Sequence, residues 1–385
     1  MTVLDETKAI LADLIAFPTV STDSNLDLIA YAGERLSACG ARLALTRDET
    51  GQKANLYASL GPETAGGVVL AAHTDVVPAG DDWTSDPFTL REAGGRLYGR
   101  GSCDMKGFLA AMLAMAPRYA ALDLRHPVHL ALTYDEEVGC FGARQLVADL
   151  AGHEMLPSMA IIGEPTMMRI IEGHKGSYEY TTRFSGLDGH GSDPDSGVNA
   201  ITYAAKFISR LMEIGEDLKA RAPAGSRFHP PWTTVQVGRI GGGTARNVIP
   251  RHCEIDWEIR PVQEADATFV KAALAAYCAR DLLPRMRAVA ADAGIETTVI
   301  GEVEALDARS DNPARDLVAS LTGANSFDVV PFGTEAGLYQ GLGLSVVVCG
   351  PGSIEQAHKP DEYLAVDQLE ACLAMLSRLG RHLEA

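Results

Sequence analysis

At 385 residues, with 46% hydrophobic and 22% charged residues, the chain has the composition of a soluble globular protein and is long enough for two domains of about 100 to 200 residues, which excludes a disordered or fibrous chain. Its formal charge of −18, from 51 acidic against 33 basic residues, repels phosphodiester backbones and anionic membranes, so neither nucleic acid nor membrane is an expected partner. No apolar run reaches the roughly 18 residues of a membrane span.

The first segment, MTVLDETKAILADLIAFPTVS, carries acids where an export signal needs bases, and its apolar residues recur as on one helix face. Seven cysteines are scattered without CxxC spacing. They read as reduced thiols, and the expected location is the cytoplasm. Residues 1–176 alternate helical patterns with short Val/Ile/Leu/Ala-rich runs, as buried parallel strands joined by crossover helices do.

The ends of those runs carry the chemistry. VVLAAHTD presents His73 and Asp75, VHLALTYDEE presents Glu136 and Glu137, and MAIIGEPT presents Glu164. LSVVVCGPG is followed shortly by His358, while GRGSCDMKG places Asp104 ahead of an apolar helix. Open α/β sheets gather reactive groups at such strand ends. On an extended strand His73 and Asp75 face the same side, which suits a metal-bound imidazole whose second nitrogen is held by a carboxylate. Glu136 and Glu137, as strand neighbours, would point to opposite sides, one toward metal and the other toward a water-filled pocket. Asp104 reads equally as a helix N-cap or as a carboxylate bridging two ions. Individually these signals are weak; jointly they read as a metal-dependent hydrolase. Oxygen and nitrogen ligands without thiolates suit zinc, with cobalt or manganese as substitutes.

From Ser177 the pattern changes. SYEYTTRFSG alternates like a half-exposed strand, NAITYAAKFISRLMEIG carries helical spacing, and TTVQVGRIGGG and HCEIDWEIRP are further strands. A helix-rich stretch from Glu264 and the strand IETTVIGEV complete a β-α-β-β-α-β order, the pattern of a small α+β domain. RAPAGSRFHPPW reads as a loop within it. After that the earlier pattern returns through FDVVPFGTEAG to a final helix, DQLEACLAMLSRLGRHL. The expected organisation is an α/β catalytic domain in two parts, 1–176 and 305–385, with a mixed, mostly parallel sheet. The domain 177–304 is inserted between them.

With HTDVVP, GRGSCDMKG, TYDEEVGCFGA, GEPT, GGTARNVIP and GTEAG in order along it, the chain resembles the dinuclear-zinc amidohydrolase and peptidase family. That family includes acetylornithine deacetylases, succinyl-diaminopimelate desuccinylases, aminoacylases and carboxypeptidase G. The resemblance covers almost the whole chain. It implies two zinc ions, with Asp104 bridging, His73 and Glu164 on one ion, and Glu137 and His358 on the other. It makes Glu136 the general base and Asp75 the partner of His73. It further implies a homodimer formed through the inserted domain, whose His190 reaches the partner's site to meet the developing oxyanion. The chain has GHGS there, where relatives often show AHAS.

Arg260 in WEIRP and Asn247 in ARNVIP match the family's groups for the substrate carboxylate and backbone. An Arg fork offers two parallel N–H bonds to a carboxylate. The stretch GTEAG resembles the acetylornithine-hydrolysing branch, and its Glu335 reads equally as a partner for the side-chain ammonium of ornithine or as a structural residue. The implied reaction is hydrolysis of N2-acetyl-L-ornithine to ornithine and acetate, in arginine biosynthesis. The alternatives on the same scaffold are a desuccinylase, a dipeptidase or a broader aminoacylase. From another class, a catalytically silent binding protein would keep the fold, but the intact ligand set and base argue against it.

Overall fold

The structure, a computed structural model, describes residues 1–384. It divides into two compact units, one of residues 1–173, 306–329 and 334–384, the other of 174–305 and 330–333. The second unit thus starts at His174, three residues before the expected Ser177, and takes in a short return at 330–333.

In the first unit, four parallel strands lie side by side in the order Val128–Thr133, Val68–His73, Met159–Pro165 and Ser345–Gly350. Nearly every residue in them is buried. Burial on both faces is why they read as unbroken apolar runs rather than as alternation. Antiparallel strands extend the sheet on both sides, Ala54–Leu60 and then Arg42–Arg47 beyond Val128–Thr133, and Ile170–His174 beyond Ser345–Gly350. Phe327–Val330 lies at the far edge.

One face is covered by the helices Val3–Ile15, Leu26–Ala38, Lys106–Ala120, Pro313–Thr322 and Val366–Leu383, which share a core with Leu56, Leu70, Leu130 and Ile161. Lys106–Ala120 lies at its centre and is buried on almost all sides, which accounts for its lack of a polar stripe. Val3–Ile15 begins with a capping box, Thr2 accepting from the Asp5 N–H while the Asp5 carboxylate accepts from the Thr2 N–H. Gly163 is obligatory: a Cβ there would stand 2.0 Å from the Phe108 ring, so only glycine lets this strand lie on that helix. The other sheet face carries the intervening strand positions, including Asn55, which donates to the Gly142 carbonyl of the helix Phe141–Leu150.

The second unit has a four-stranded antiparallel sheet in the order Thr234–Gly242, His252–Arg260, Ser177–Ser185 and Gly294–Val303. Along His252–Arg260, Cys253, Ile255, Trp257 and Ile259 are buried in strict alternation. They pack with Phe207, Leu211 and Ile214 of the helix Ala200–Lys219 and with Val270 and Leu274 of Glu264–Tyr277. Residues 221–232 form the expected loop.

Candidate metal centre

The C-terminal ends of the four parallel strands, with the turns that follow them, bring six titratable side chains together, and the loop before the helix Lys106–Ala120 adds Asp104 as the seventh. His73 ends its strand and is buried, with Nε2 3.1 Å from Asp104 Oδ1 and 3.8 Å from Glu164 Oε1. His358, on the turn after Ser345–Gly350, places Nε2 3.0 Å from Glu137 Oε2 and 3.4 Å from Asp104 Oδ2. Two triads result, His73–Asp104–Glu164 and Asp104–Glu137–His358, each with ligand atoms within 4.8 Å of one another. Asp104 belongs to both, one oxygen turned to each histidine. Two such sites sharing one carboxylate are the donor set of a bridged two-ion centre.

The electrostatics ask for cations. Five carboxylates, Asp75, Asp104, Glu136, Glu137 and Glu164, accompany only two imidazoles here. Burial and the surrounding negative charge push Glu136, Glu137 and Glu164 above the ordinary carboxylate range. Asp104 goes the other way: burial opposes its charge, but hydrogen bonds from His358 and His73 hold it below that range. Burial likewise opposes charge on His73, and contact with Asp104 and the field of Glu164 and Glu136 overcomes it. Hydrogen bonds to Asp104 and Glu137 raise His358 to about 10. Glu137 Oε1 and Glu164 Oε1 are buried without a hydrogen-bond partner. Buried carboxylate oxygens without a hydrogen-bond partner among the described residues, in a cluster with two imidazoles, fit a pair of divalent ions. The donors are oxygen and nitrogen only, because the Cys103 thiol beside Asp104 turns to the Ser353 carbonyl at 3.3 Å.

Three expectations change in detail. His73 Nδ1 donates to the backbone carbonyl of Asp75 at 2.9 Å, while the Asp75 carboxylate stands 3.7 Å away. The strand ends at His73, so the same-side rule no longer applies two residues on. The Asp75 carboxylate instead accepts the Glu136 N–H (3.1 Å), the Glu137 N–H (3.3 Å) and the Ser21 hydroxyl (2.7 Å). It therefore fixes the turn that carries the inferred base. Glu136 and Glu137 likewise follow the strand end at Thr133 and sit in a turn, not a strand. Asp104 is not a helix cap either, since Met105 holds the N-cap position without a side-chain bond.

Of the two readings of Glu335, the structure favours the structural one. Glu335 is 1% exposed, and its Oε2 accepts from the Thr133 hydroxyl at 2.8 Å. Packed inside the domain at the start of the helix Ala336–Gly341, it has no surface to offer a substrate ammonium. Burial raises it to about 7.

The second unit holds the other three expected residues. His190 is exposed, its Nδ1 2.7 Å from the Ser192 hydroxyl, and a β-bridge from His190 to Val248 lays its loop along that of Asn247. Arg260 ends the other side of the strand His252–Arg260 and is paired with Glu258 at 2.7 Å and Glu179 at 3.7 Å.

Sequence reasoning passed over Ser21 and Lys53. The Lys53 ammonium bonds Asp135 at 2.5 and 2.7 Å and the Ser21 carbonyl at 2.5 Å, bracing the turn that carries Glu136 from outside. It also missed Glu362, whose only sequence signal is its place four residues after His358.

Residues 69–382 match Peptidase family M20/M25/M40. The chain is 38% identical to an acetylornithine deacetylase of Myxococcus xanthus, covering 97% of each, and 36% identical to one of Shigella sonnei, covering 96% of this chain and 95% of that one. Among solved structures, it is similar to an M20 metallo-carboxypeptidase of Sulfolobus solfataricus (TM-score 0.75, 18% identity, 98% and 99% covered). It is also similar to a dinuclear metal-binding M20 peptidase of Bacillus subtilis (TM-score 0.64, 18% identity, 99% and 98% covered). With motif order, ligand geometry and near-complete coverage in agreement, the chain belongs to peptidase family M20/M25/M40.

Proposed function

We propose that this protein hydrolyses the amide bond of an N-acyl amino acid, with N2-acetyl-L-ornithine as substrate and ornithine and acetate as products, in arginine biosynthesis in the cytoplasm. The observation that carries the reaction class is the pair of ligand triads sharing Asp104 with Glu136 beside them. The likeness to relatives named acetylornithine deacetylase supports the substrate.

His73, Asp104 and Glu164 would hold one zinc ion and Asp104, Glu137 and His358 the other, with cobalt or manganese able to substitute. Bound there, two ions would supply positive charge to the amide carbonyl and favour ionisation of the attacking water near neutral pH. Glu136 is in neither triad, so its carboxylate remains available as proton acceptor from that water and as donor to the departing nitrogen. The Asp75 bonds to the Glu136 and Glu137 amides hold that base in place. The backbone carbonyl of Asp75 takes the Nδ1 proton of His73, leaving Nε2 as the ligand nitrogen.

The inserted unit supplies a homodimer argument. His190 and Asn247 lie near the His252 end of a nine-residue strand and Arg260 at its other end, about 27 Å apart at roughly 3.4 Å per residue. One small substrate cannot touch both ends of that strand. On this reading the two ends serve different substrates, His190 reaching the partner's site as the family resemblance implies and Arg260 meeting a substrate carboxylate elsewhere.

A panel of kcat/KM values across acetylornithine, succinyl-diaminopimelate, other acetyl amino acids and dipeptides, with zinc and cobalt in turn, tests the substrate. A preference for succinyl-diaminopimelate, another acetyl amino acid or a dipeptide over acetylornithine would replace the proposed reaction.

A further inference from the structure

Glu362 is 1% exposed, yet each of its carboxylate oxygens is fully engaged. Oε1 accepts the N–H groups of Cys103 (2.8 Å) and Asp104 (3.0 Å), and Oε2 accepts the Gly101 N–H (3.0 Å) and Arg100 Nη1 (2.7 Å). Its own backbone carbonyl accepts the Gly99 N–H at 3.0 Å. One residue thus gathers the 99–104 loop, its side chain holding 100, 101, 103 and 104 and its carbonyl holding 99. Arg100, also 1% exposed, extends the junction, with Nη2 3.2 Å from the carbonyls of both Pro78 and Ala79. Its Nη1 is also 3.5 Å from the Lys359 carbonyl.

The three tethered segments each adjoin a ligand-bearing stretch: 78–79 follows Asp75, 99–104 ends on Asp104, and 359–362 follows His358. A buried carboxylate with an arginine and three amides is charge-compensated without any metal. Its effect falls on the one ligand common to both triads.

We propose that Glu362, locked by Arg100, is a positioning residue that sets the Asp104 loop and its spacing to His358 before any ion arrives, so that the affinity of both ion sites depends on it. This rests on the two-ion reading of the site. A Glu362→Gln side chain keeps one acceptor oxygen but presents an NH2 group to donors on its other side and leaves Arg100 buried without its counter-charge. Outer partners of this kind typically cost about 10- to 100-fold in metal affinity when removed.

Zinc affinity is measured by competition with a chelating indicator on wild type, Glu362→Gln and the milder Arg100→Lys, alongside thermal unfolding of the metal-free forms. The expected result is that both zinc dissociation constants rise by about 10- to 100-fold in Glu362→Gln and by less in Arg100→Lys, with turnover recovering at saturating zinc. A variant that melts lower while both zinc constants stay at the wild-type value overturns the proposal, because Glu362 would then only stabilise the fold. Hydrogen exchange of peptides spanning 99–105 in metal-free wild type decides the matter even if the variants do not fold. Protection without zinc supports a preset loop, and protection that appears only on adding zinc overturns it. Wild type that binds no zinc at all would refute the two-ion reading itself, an outcome distinct from failure of the Glu362 clamp.

Discussion

Replacing Glu335 by Gln tests its structural reading, as a buried acid, against the substrate-contact reading. The amide still accepts from the Thr133 hydroxyl, as the native Oε2 does at 2.8 Å, so what changes is the ability to ionise. Burial raises the Glu335 pKa from 4.5 to about 7. A raised acid pKa means that the folded protein holds the proton more tightly than the unfolded chain. Its stabilising contribution is therefore complete below about pH 4.5 and is lost as pH rises through about 7. At about pH 8 the native protein carries a penalty on the order of 3 kcal/mol, and at about pH 5 less than about 1 kcal/mol. Glu335→Gln should match wild type in urea unfolding at the lower pH and exceed it by about 2 to 3 kcal/mol at the higher one. Its KM for acetylornithine should stay within about twofold, since a group with 1% exposure does not touch substrate. A stability difference independent of pH refutes the burial argument. A KM raised about tenfold for acetylornithine, but not for acetyl amino acids lacking a cationic side chain, restores Glu335 as a substrate ligand.

Glu136→Gln should lower kcat by about 100- to 10,000-fold with two zinc ions still bound, because Glu136 is outside both triads; metal analysis beside steady-state kinetics checks both halves, and near-normal turnover removes it as the base. His358→Ala should lose one ion of the two and Asp104→Ala both, counted by atomic absorption after dialysis, since only Asp104 is shared; equal stoichiometry in the two variants contradicts the bridging assignment. Mixing Glu136→Gln subunits with His190→Ala subunits should regain activity that neither homodimer has, since one site of each mixed dimer would pair an intact base with an intact His190. No recovery after subunit exchange, verified by native mass spectrometry, removes His190 from the partner's site.

The parts legible in the sequence share a physical basis. A strand buried on both faces must be apolar along its length, so VVLAAH and VHLALT announce themselves, and the first polar residues after each mark the sheet edge where ligands gather. That is why His73, Glu137, Glu164, Asp104 and His358 could be named together although nearly three hundred residues separate the first from the last. In the inserted unit, the alternation in HCEIDWEIR showed which side meets the helices, because that strand is half covered.

The expectations that needed revision failed where periodicity stops. Strand alternation was extended to Asp75 and to the Glu136–Glu137 pair, but the chain has already turned at both places. Turns place side chains by local hydrogen bonds that residue spacing does not encode. Glu335 stayed undecided between substrate and structure because a motif match does not report burial, and packing of the helix Ala336–Gly341 is what encloses it. Glu362 left no pattern because it works on backbone amides some 260 residues away, and any residue type offers an amide there. Sequence therefore displays the groups that do chemistry through their own side chains, while the groups that hold those side chains still emerge only when distant loops are folded together. At this centre the two classes meet on Asp104, whose carboxylate was readable from its motif and whose backbone is held by a residue that was not.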